Sequence, residues 1–324
     1  MGIEIKRYDP ALEEVWNRFV EHSNEGTIFH RLDFLRYHGE RFSQFEHHLA
    51  WYKGQTIFGI MPMAIFDKED GRVACSPYGA SYGGPVFQKP LNYADSHQVV
   101  SSLLNYLTEL EVTTCTLTLP IPCCYAKYSE TFRLVLLEHG FRCTNRDISS
   151  VVCLSGDKPI SEEMRPHARR MARKARKAGI VPVHRGKVAD FWVVLEKTFK
   201  KHGVKPTHTL EEFRWLCGHL PERVYVDVAY LDEVPVAGIG FFVINKRVNS
   251  SFYLCQDPKF QTVQALSLLI YEALVRCQQG GFDWFDFGTS SIRMQGRGNL
   301  FRFKESFGAV GLFRETYVWH FADS

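Results

Sequence analysis

The feature that most limits what this sequence can fold into is an internal repeat. Residues 29–37 (FHRLDFLRY) and 207–216 (THTLEEFRWL) share a histidine, a leucine, an acid, an arginine and an aromatic residue in the same order. Residues 49–66 and 228–244 then each show an apolar run, a polar turn and a second apolar run, which is typical of a β-hairpin. Similar segments in the same order indicate that one structural unit occurs twice.

The similarity continues to the end of each half. Each hairpin is followed by a strand, by a helix with apolar residues at helical spacing (96–110 and 263–279), and then by a strand, a short helix and a strand. This order predicts an α/β (α+β) fold of two tandem domains, each a mixed central sheet flanked by helices. The turn-rich stretch CLSGDKPISEE places the boundary near residue 155, which gives domains 1–155 and 156–324.

Composition narrows the class of protein. The 324 residues are 45% apolar, enough for two domains that each bury a core, and the net charge of +3 creates no general field that would attract a nucleic acid or a membrane. The nine cysteines are odd in number and form no C-x-x-C pair, and histidine and cysteine show no ligand spacing. We therefore expect a soluble, cytoplasmic protein with reduced cysteines, no transmembrane segment and no metal.

The segment GNLFRFKESFGA, near the end of the chain, places a lysine among three phenylalanines. Its position in the repeat predicts a last helix with Asn299 as the N-cap and with Leu300, Phe303 and Phe307 on one face. Lys304 then lies at the edge of the apolar face, where its ammonium can stabilise an oxyanion or a donor phosphate. The alternative is a lysine whose stem covers the core while its charge stays in water.

The order of the segments carries a resemblance. A hairpin, a strand, a helix, a diverging strand and a short helix ending in E-x-G-F or E-x-F-G is the succession of the GNAT acyltransferase fold. Together with RRMARKARKAG (169–179), FDFG (285–288) and RFKESFGA (302–309), the chain resembles the FemA/FemB-like branch of that superfamily, with tandem GNAT domains. The resemblance implies transfer of an acyl or aminoacyl group to an amine, and it places Phe303 and Lys304 beside the transfer site.

A strongly basic helix is predicted at the start of the second half. Its basic residues recur at helical spacing, and the segment contains no acid to pair them. These residues are Arg165, Arg169, Arg170, Arg173, Lys174, Arg176 and Lys177. Like charges held this close together favour a polyanion, so we expect contacts with donor phosphates or with a tRNA backbone. The predicted contacts are Arg170, Arg173, Lys174 and Lys177; a solvated helix is the alternative.

Transfer to an amine requires a group that takes a proton from the acceptor. Asp286 is the first candidate, because it lies at a strand end among aromatic residues, where desolvation would raise its pKa. A structural role in the turn that follows is its alternative. His208 is the second candidate, with His30 as its counterpart in the first half, because the positive end of a helix dipole disfavours the imidazolium. Capping or packing is the alternative for both histidines.

Loops complete the predicted site. Residues 289–299 combine glycines with Arg293 and Arg297, which suits a loop that closes over the donor as well as a plain surface loop. Residues 257–265 lack the glycines of the usual GNAT pyrophosphate loop, which disfavours coenzyme A in the second half. In the first half, the resemblance implies that Tyr82, in a Tyr-Gly-Gly turn, lines the acceptor groove; an exposed turn without function is the alternative.

The sequence therefore predicts an N-acyltransferase without a permanently bound cofactor, whose donor is acyl-coenzyme A or aminoacyl-tRNA. The acceptor implied by the resemblance is an amine on a small molecule, a glycan or a peptidoglycan precursor, and the chemistry is expected in the second half. The alternatives are a non-catalytic binding or scaffold module for a polysaccharide or lipid-linked precursor, and an RNA-binding protein. No oligomeric state is predicted.

Overall fold

The structure, a computed structural model, describes residues 2–201 and 203–321. The chain forms two compact units. The first contains the residues up to Asp147 together with those from Phe313 onward, and the second contains Ile148–Leu312. Within the described ranges, no helix is both long enough and apolar enough to cross a membrane. The cytoplasmic location stays a prediction.

Strands and helices are numbered in chain order. The strands are β1 Ile3–Arg7, β2 Leu49–Lys53, β3 Thr56–Met61, β4 Ala64–Lys68, β5 Gly71–Ser76, β6 Val86–Phe87, β7 Val112–Thr118, β8 Arg142–Cys153, β9 Val181–Val183, β10 Val224–Leu231, β11 Val234–Val243, β12 Val248–Gln256, β13 Trp284–Thr289, β14 Ser291–Ile292, β15 Gln295–Gly296 and β16 Val310–His320. The helices are α1 Glu13–Glu21, α2 Leu32–Leu35, α3 Glu40–Ser43, α4 Tyr93–Glu109, α5 Thr131–Glu138, α6 Ile160–Glu163, α7 Pro166–Lys177, α8 Val188–Lys201, α9 Leu210–His219, α10 Ala265–Gln279 and α11 Gly298–Glu305.

In the first unit, β1, β2, β3 and β6 lie side by side as an antiparallel sheet. In another sheet of this unit, β5 pairs in antiparallel fashion with β4 and in parallel with β7, and β7 pairs in antiparallel fashion with the final strand β16. The helical stripe Val99, Leu103 and Leu107 of α4 packs in one core with Leu117 of β7 and Trp319 of β16. The final strand therefore completes the core of the first unit.

In the second unit, the strand order is β8, β13, β12, β11, β10, β9. The pairing of β12 with β13 is parallel, and the other pairings are antiparallel. Helices α7 and α10 share a core with this sheet, in which Ala172 and Leu268 lie together with Phe285 of β13. Helix α8 packs on β11, where a Cβ added to Gly238 would lie 2.6 Å from the Phe191 ring. The glycine thus makes room for the helix.

The predicted succession of elements is confirmed in both halves. Each half contains a hairpin, β2 with β3 and β10 with β11, and then the predicted strands and helices in the predicted order. The first half has three strands, β4, β5 and β6, where one was predicted before α4, and the second half has an additional hairpin, β14 with β15, before α11. Thr209 and Glu212 lie three residues apart in the sequence, which predicts a capping box, and the box forms at the start of α9, because the side chain of each residue bonds the backbone amide of the other. The compact units divide at Asp147 and Ile148, and the first unit contains the residues from Phe313 onward. The domain boundary at residue 155 stays a prediction about the duplication.

A buried ionic network joins α5 to β16 within the first unit. Arg133 is buried, and its Nε donates to Oε2 of Glu315 at 3.0 Å, while its Nη2 donates to the carbonyl oxygen of Pro120 at 3.1 Å. Glu315 also accepts from Arg146 (2.7 Å) and from the Tyr317 hydroxyl (3.0 Å). Every charge of the buried pair is therefore compensated, and the final strand is attached to α5 by polar bonds as well as by its apolar face.

Candidate functional site

The lysine of the last helix is buried. Helix α11 has Arg297 as its N-cap, so Asn299 lies inside the helix and the predicted cap is wrong. Lys304 is only 4% exposed, and its Nζ donates hydrogen bonds to the carbonyl oxygens of Gly288 at 2.9 Å and Thr289 at 2.7 Å. The alternative of a charge in water is wrong, and the ammonium lies deeper than the edge of the apolar face.

The turn at the end of β13 explains how a lysine fits beside aromatic rings. Gly288 has a φ of +72°, a conformation that L side chains rarely adopt, and two consecutive carbonyl oxygens of this turn reach the Lys304 ammonium. Around the lysine, α11 is anchored by Phe303 and Phe307, whose ring centroids lie 5.3 Å apart. The aromatic residues therefore position the helix, and the two carbonyl oxygens of the turn replace water as hydrogen-bond acceptors for the buried ammonium.

Burial changes the protonation of Lys304. Desolvation lowers the pKa of its ammonium to about 8, and the negative charge of Asp286 opposes the shift. At neutral pH the side chain is mainly an ammonium that donates hydrogen bonds. The same shift makes the neutral amine accessible slightly above neutral pH.

The stability of the protein is expected to rise with pH as Lys304 loses its proton. Its pKa is about 8 in the folded chain against an ordinary value of 10.5, so the unfolded chain binds more protons between these two values. Relative to Lys304→Met, the wild type should gain about 3 kcal/mol in free energy of unfolding across this interval. Urea unfolding of both proteins at successive pH values measures the gain. Lys200→Met, at an exposed lysine of α8, is the control, and a pH-independent difference for Lys304→Met would contradict the lowered pKa.

Asp286 lies at the point where the turn begins, and it is buried. Its Oδ1 accepts from the Ser149 hydroxyl at 2.7 Å and from the Gly288 amide at 2.8 Å, and its Oδ2 accepts from the Ser250 hydroxyl at 3.4 Å. The bond to the Gly288 amide is the structural role that the sequence left open as an alternative. Asp286 bonds the backbone amide of this turn and Lys304 bonds its carbonyl oxygens, so the two side chains bond the same turn.

Sequence reasoning missed the hydroxyl groups around Asp286. They come from three Ser-Ser pairs on separate elements. The pairs are 149–150, 250–251 and 290–291. Ser149 and Ser250 bond Asp286, and the hydroxyls of Ser150 and Ser290 lie 2.6 Å apart. Adjacent serines inside apolar strands were the available signal, because a strand directs successive side chains to opposite faces.

Strands β12 and β13 separate next to Asp286. β12 and β13 pair in parallel only over Val248–Ser250 and Trp284–Asp286. Beyond this point β12 continues along β11, with a register shift after Gly240, while β13 turns at Gly288 toward Lys304. A parallel pair that opens at its carboxyl end is where ligands bind in many α/β folds. The sequence-predicted divergence of these strands is therefore present, next to the buried lysine.

The predicted basic helix is present as α7, and it faces a cavity. An alanine stripe of this helix, Ala168, Ala172 and Ala175, is buried. Beside it, three arginines of α7 line a cavity of about 300 Å³ together with apolar and aromatic residues of α10. The residues concerned are Arg169, Arg173, Arg176, Leu268 and Tyr271. The small alanines bring the helices close together, and the longer basic side chains surround the opening.

Two acids pair with the basic helix, so the expectation of unpaired charge is wrong for part of it. Arg165 lies 3.5 Å from Glu305, and Arg176 pairs with Glu272. These acids come from α11 and α10, which the spacing within the basic segment does not reveal. Four other basic residues show no ion pair in the described part of the chain. They are Arg169, Arg173, Lys174 and Lys177. Arg170 is exposed, with Nη2 3.1 Å from Nδ1 of His167.

The amides at the start of α10 are already bonded. The Leu266 amide donates to Oε1 of Gln256, and the Ser267 amide donates to the carbonyl oxygen of Gln264, both at 3.0 Å. In a helix that binds pyrophosphate, such amides point at the ligand. Residues 257–265 also lack the usual glycines. The structure and the sequence therefore both indicate that this loop differs from the usual GNAT pyrophosphate loop.

The candidate histidines lie in buried surroundings. The Nδ1 of His208 is 2.8 Å from the Tyr253 hydroxyl, and its ring contacts Phe213 and Phe242. His208 thus belongs to an aromatic cluster between α9 and β12, and its role as a base stays a prediction. In the first unit, burial lowers the pKa of His30 to about 4, so the imidazole is neutral, as predicted, but because of desolvation rather than the helix dipole.

The remaining predicted residues differ in exposure. Tyr82 is buried; its ring lies 5.6 Å from that of Phe29 and 5.3 Å from the Arg314 guanidinium, so the alternative of an exposed tyrosine is wrong. Arg293 and Arg297 are exposed in the segment before α11. The substrate-binding roles of Tyr82 and Phe303, and the donor contacts of the two arginines, stay predictions. Within 2–201 and 203–321, no group of three or more histidine, cysteine or acidic residues is arranged to hold a metal ion.

The fold and the site together define the class of protein. Residues 162–305 match the family described as "Acetyltransferase (GNAT) domain". This range includes the basic helix, the separating strands β12 and β13, Asp286 and Lys304, so the second half contains a GNAT acyltransferase domain, and the prediction of an acyltransferase is confirmed. No curated protein sequence matches the chain significantly.

Several solved structures share the fold of this chain. The crystal structure of FemX has a TM-score of 0.74 at 10% identity, and the match covers 98% of this chain and 97% of that one. L-PGS from Bacillus licheniformis gives 0.59 at 12% identity, over 96% and 91%. A tandem GNAT protein from the clavulanic acid biosynthesis pathway gives 0.54 at 9% identity, over 98% of each chain. The tandem GNAT fold and the FemA/FemB-like resemblance are confirmed.

Proposed function

We propose that this protein transfers an acyl or aminoacyl group from an ester or thioester donor to an amine of a cell-envelope or glycan precursor. The observation that carries the proposal is the buried Lys304 ammonium at the point where β12 and β13 part. FemX, L-PGS and the C-terminal domain of a putative lysylphosphatidylglycerol synthetase share the fold, and the last of these names supports an aminoacyl group and an acceptor in the cell envelope. A peptidoglycan precursor and a tRNA are therefore the first partners to test.

Lys304 supplies a single oriented hydrogen-bond donor. An ammonium carries three N–H groups, and two of them donate to the Gly288 and Thr289 carbonyl oxygens. The third N–H has no hydrogen-bond acceptor among the residues that the structure describes. A donor carbonyl that enters between the strands can accept this bond. The bond strengthens as the oxygen becomes an oxyanion, and such a gain in the transition state is what accelerates acyl transfer.

The reaction balances with one amide formed and one ester or thioester broken. The acceptor amine attacks the donor carbonyl carbon, the carbonyl oxygen becomes an oxyanion bound by Lys304, and the C–O or C–S bond then breaks. The amine proton passes to a base, and a proton is returned to the leaving hydroxyl or thiol. We propose Asp286 as this base, acting through the Ser149 or Ser250 hydroxyl that it bonds. His208, bonded to the Tyr253 hydroxyl, is the second candidate.

We further propose that α7 holds the phosphates of the donor. Three arginines line one cavity, and Lys174 and Lys177 are exposed on the same helix. The amides of α10 that a pyrophosphate would need are occupied, which favours an extended phosphate backbone over the pyrophosphate of coenzyme A. Arg293 and Arg297 are a second set of candidate phosphate contacts, in the segment that leads to α11.

Binding measurements are expected to separate the donors. If α7 contacts an RNA backbone, the affinity for charged tRNA should fall steeply with salt, by about 0.7 log units per log unit of salt for each phosphate contact. The double variant Arg173→Ala, Lys174→Ala should weaken binding and make this slope shallower by about two contacts. Lys200→Ala, Lys201→Ala on α8 is the matched control, which removes the same charge from exposed lysines. Acetyl-coenzyme A is titrated in parallel.

Each outcome assigns a different function. Tight, salt-sensitive binding of charged tRNA that depends on α7 supports aminoacyl transfer, which is then tested as release of deacylated tRNA in the presence of amino sugars and lysine-containing peptides. Binding of acetyl-coenzyme A alone would make the donor an acyl thioester and would contradict the RNA assignment of α7. Equal binding of charged and uncharged tRNA without turnover would support the RNA-binding alternative, and no binding of either donor would support the scaffold alternative.

A further inference from the structure

We propose that the hairpin before α11 docks the second unit onto an anionic lipid surface. This hairpin consists of β14 and β15. Most of it belongs to the stretch 292–300, in which every residue is exposed. Three apolar side chains lie in it: Ile292 is 46% exposed, Met294 is 58% exposed and Leu300 is 36% exposed. Apolar side chains grouped on the surface in this way mark an interaction site rather than a core.

The charged side chains of the same stretch are all basic. Arg293, Arg297 and Arg302 lie on it or directly beside it, and the sequence contains no acid between Asp286 and Glu305. The carboxylate of Glu305 is paired with Arg165 at 3.5 Å. Exposed apolar side chains that alternate with arginines match the boundary of an anionic bilayer, where apolar side chains enter the interface and guanidinium groups meet lipid phosphates.

The turn of the hairpin holds its tip in a costly conformation. Ser291 pairs with Gly296 and Ile292 with Gln295, so Arg293 and Met294 form a two-residue turn with φ values of +51° and +61°. Glycine and asparagine are the residues that adopt this conformation readily, and an arginine and a methionine reduce stability here. The base of the hairpin is fixed, because the Arg297 amide donates to the carbonyl oxygen of Ser290 at 2.9 Å. A strained, anchored tip is typical of a functional segment.

The second unit contains a matched hairpin of opposite charge. The turn between β10 and β11 consists of Asp232 and Glu233, whose φ values of +48° and +62° repeat the same geometry. It is followed by Val234, an apolar residue that is 44% exposed. Turn geometry and one exposed apolar residue are therefore common to both hairpins, and only the hairpin before α11 combines them with arginines. This contrast selects an anionic surface as the occupant and provides an internal control.

Sedimentation with lipid vesicles tests the proposal without any acyl transfer. The full-length protein is expected to bind vesicles of phosphatidylcholine with about 30% phosphatidylglycerol at least tenfold more tightly than vesicles of phosphatidylcholine alone. The double variant Ile292→Asn, Met294→Asn should lose about tenfold in affinity, since both side chains would enter the interface. Arg293→Gln should lose about fivefold. Val234→Asn, in the acidic hairpin, should bind as the wild type does.

Several results would overturn the proposal. Equal binding to neutral and anionic vesicles, an absence of binding, or wild-type binding by the Ile292→Asn, Met294→Asn variant would each show that the hairpin does not dock on lipid. If Arg297→Gln weakened binding of charged tRNA and left vesicle binding unchanged, the hairpin would belong to the donor site. Because vesicle binding needs neither donor nor acceptor, its failure is distinguishable from failure of the proposed transferase function.

Discussion

Replacing Lys304 by methionine is expected to lower the rate of acyl transfer by about 10²–10³-fold while the protein stays folded. The variant removes the one N–H that remains after the ammonium has bonded the Gly288 and Thr289 carbonyls, and with it the bond to the developing oxyanion. Methionine has a similar length and can pack beside Phe307, so α11 should keep its place. The rate is measured in a single turnover, with the donor that the binding experiment identifies.

Two comparisons separate catalysis from folding and binding. Lys200→Met replaces an exposed lysine of α8 in the same way and should leave the rate unchanged. Donor affinity of Lys304→Met should stay close to that of the wild type, because the lost bond is one that strengthens in the transition state. A transfer rate within a few-fold of the wild type would show that Lys304 only packs the turn, and a large loss of donor affinity would make it a binding residue.

Replacing Arg133 by methionine is expected to reduce the free energy of unfolding by about 3 kcal/mol. The change leaves the Glu315 carboxylate buried without its buried cationic partner and removes the hydrogen bond from Arg133 to the Pro120 carbonyl oxygen. Arg146 and the Tyr317 hydroxyl still bond Glu315, so the loss should lie toward the lower end of the range for broken buried pairs. Urea unfolding measures the change.

A double variant tests whether the loss comes from the unpaired charge. In Arg133→Met, Glu315→Met both members of the buried pair are apolar, and much of the lost stability should return, since removing both charges is often close to neutral. Losses that simply add would contradict a coupled pair. Lys6→Met is the control, because both members of the Lys6–Glu4 pair are exposed and its loss should cost no more than about 1 kcal/mol.

Much of the fold was predictable because its signals are local. The hairpins, the alternation of strands with helices and the basic helix all follow from periodicities of two or 3.6 residues along the chain. The capping box of Thr209 and Glu212 depends on a spacing of three residues and formed as predicted. The FemA/FemB-like resemblance made Lys304 a candidate site residue, because it placed this lysine in the last helix of a known order of elements.

The parts that were missed depend on contacts between distant residues. The hydroxyl of Ser149 bonds Asp286 across 137 residues of sequence, and Arg133 bonds Glu315 across 182. No periodicity links such positions, so spacing revealed neither the serine pairs around Asp286 nor the acids that pair with α7.

By itself, the sequence determined the duplication, the order of elements, the basic helix and the choice of Lys304 and Asp286 as candidate site residues. Only the tertiary structure decided that the Lys304 ammonium is buried on two carbonyl oxygens, that Asp286 fixes the same turn, and that the last strand pairs with β7 in the first unit. The physical reason is that helical and strand periods specify which face of an element is apolar. How deeply a side chain lies, and which strand it meets, are set by the packing of segments far apart in the chain.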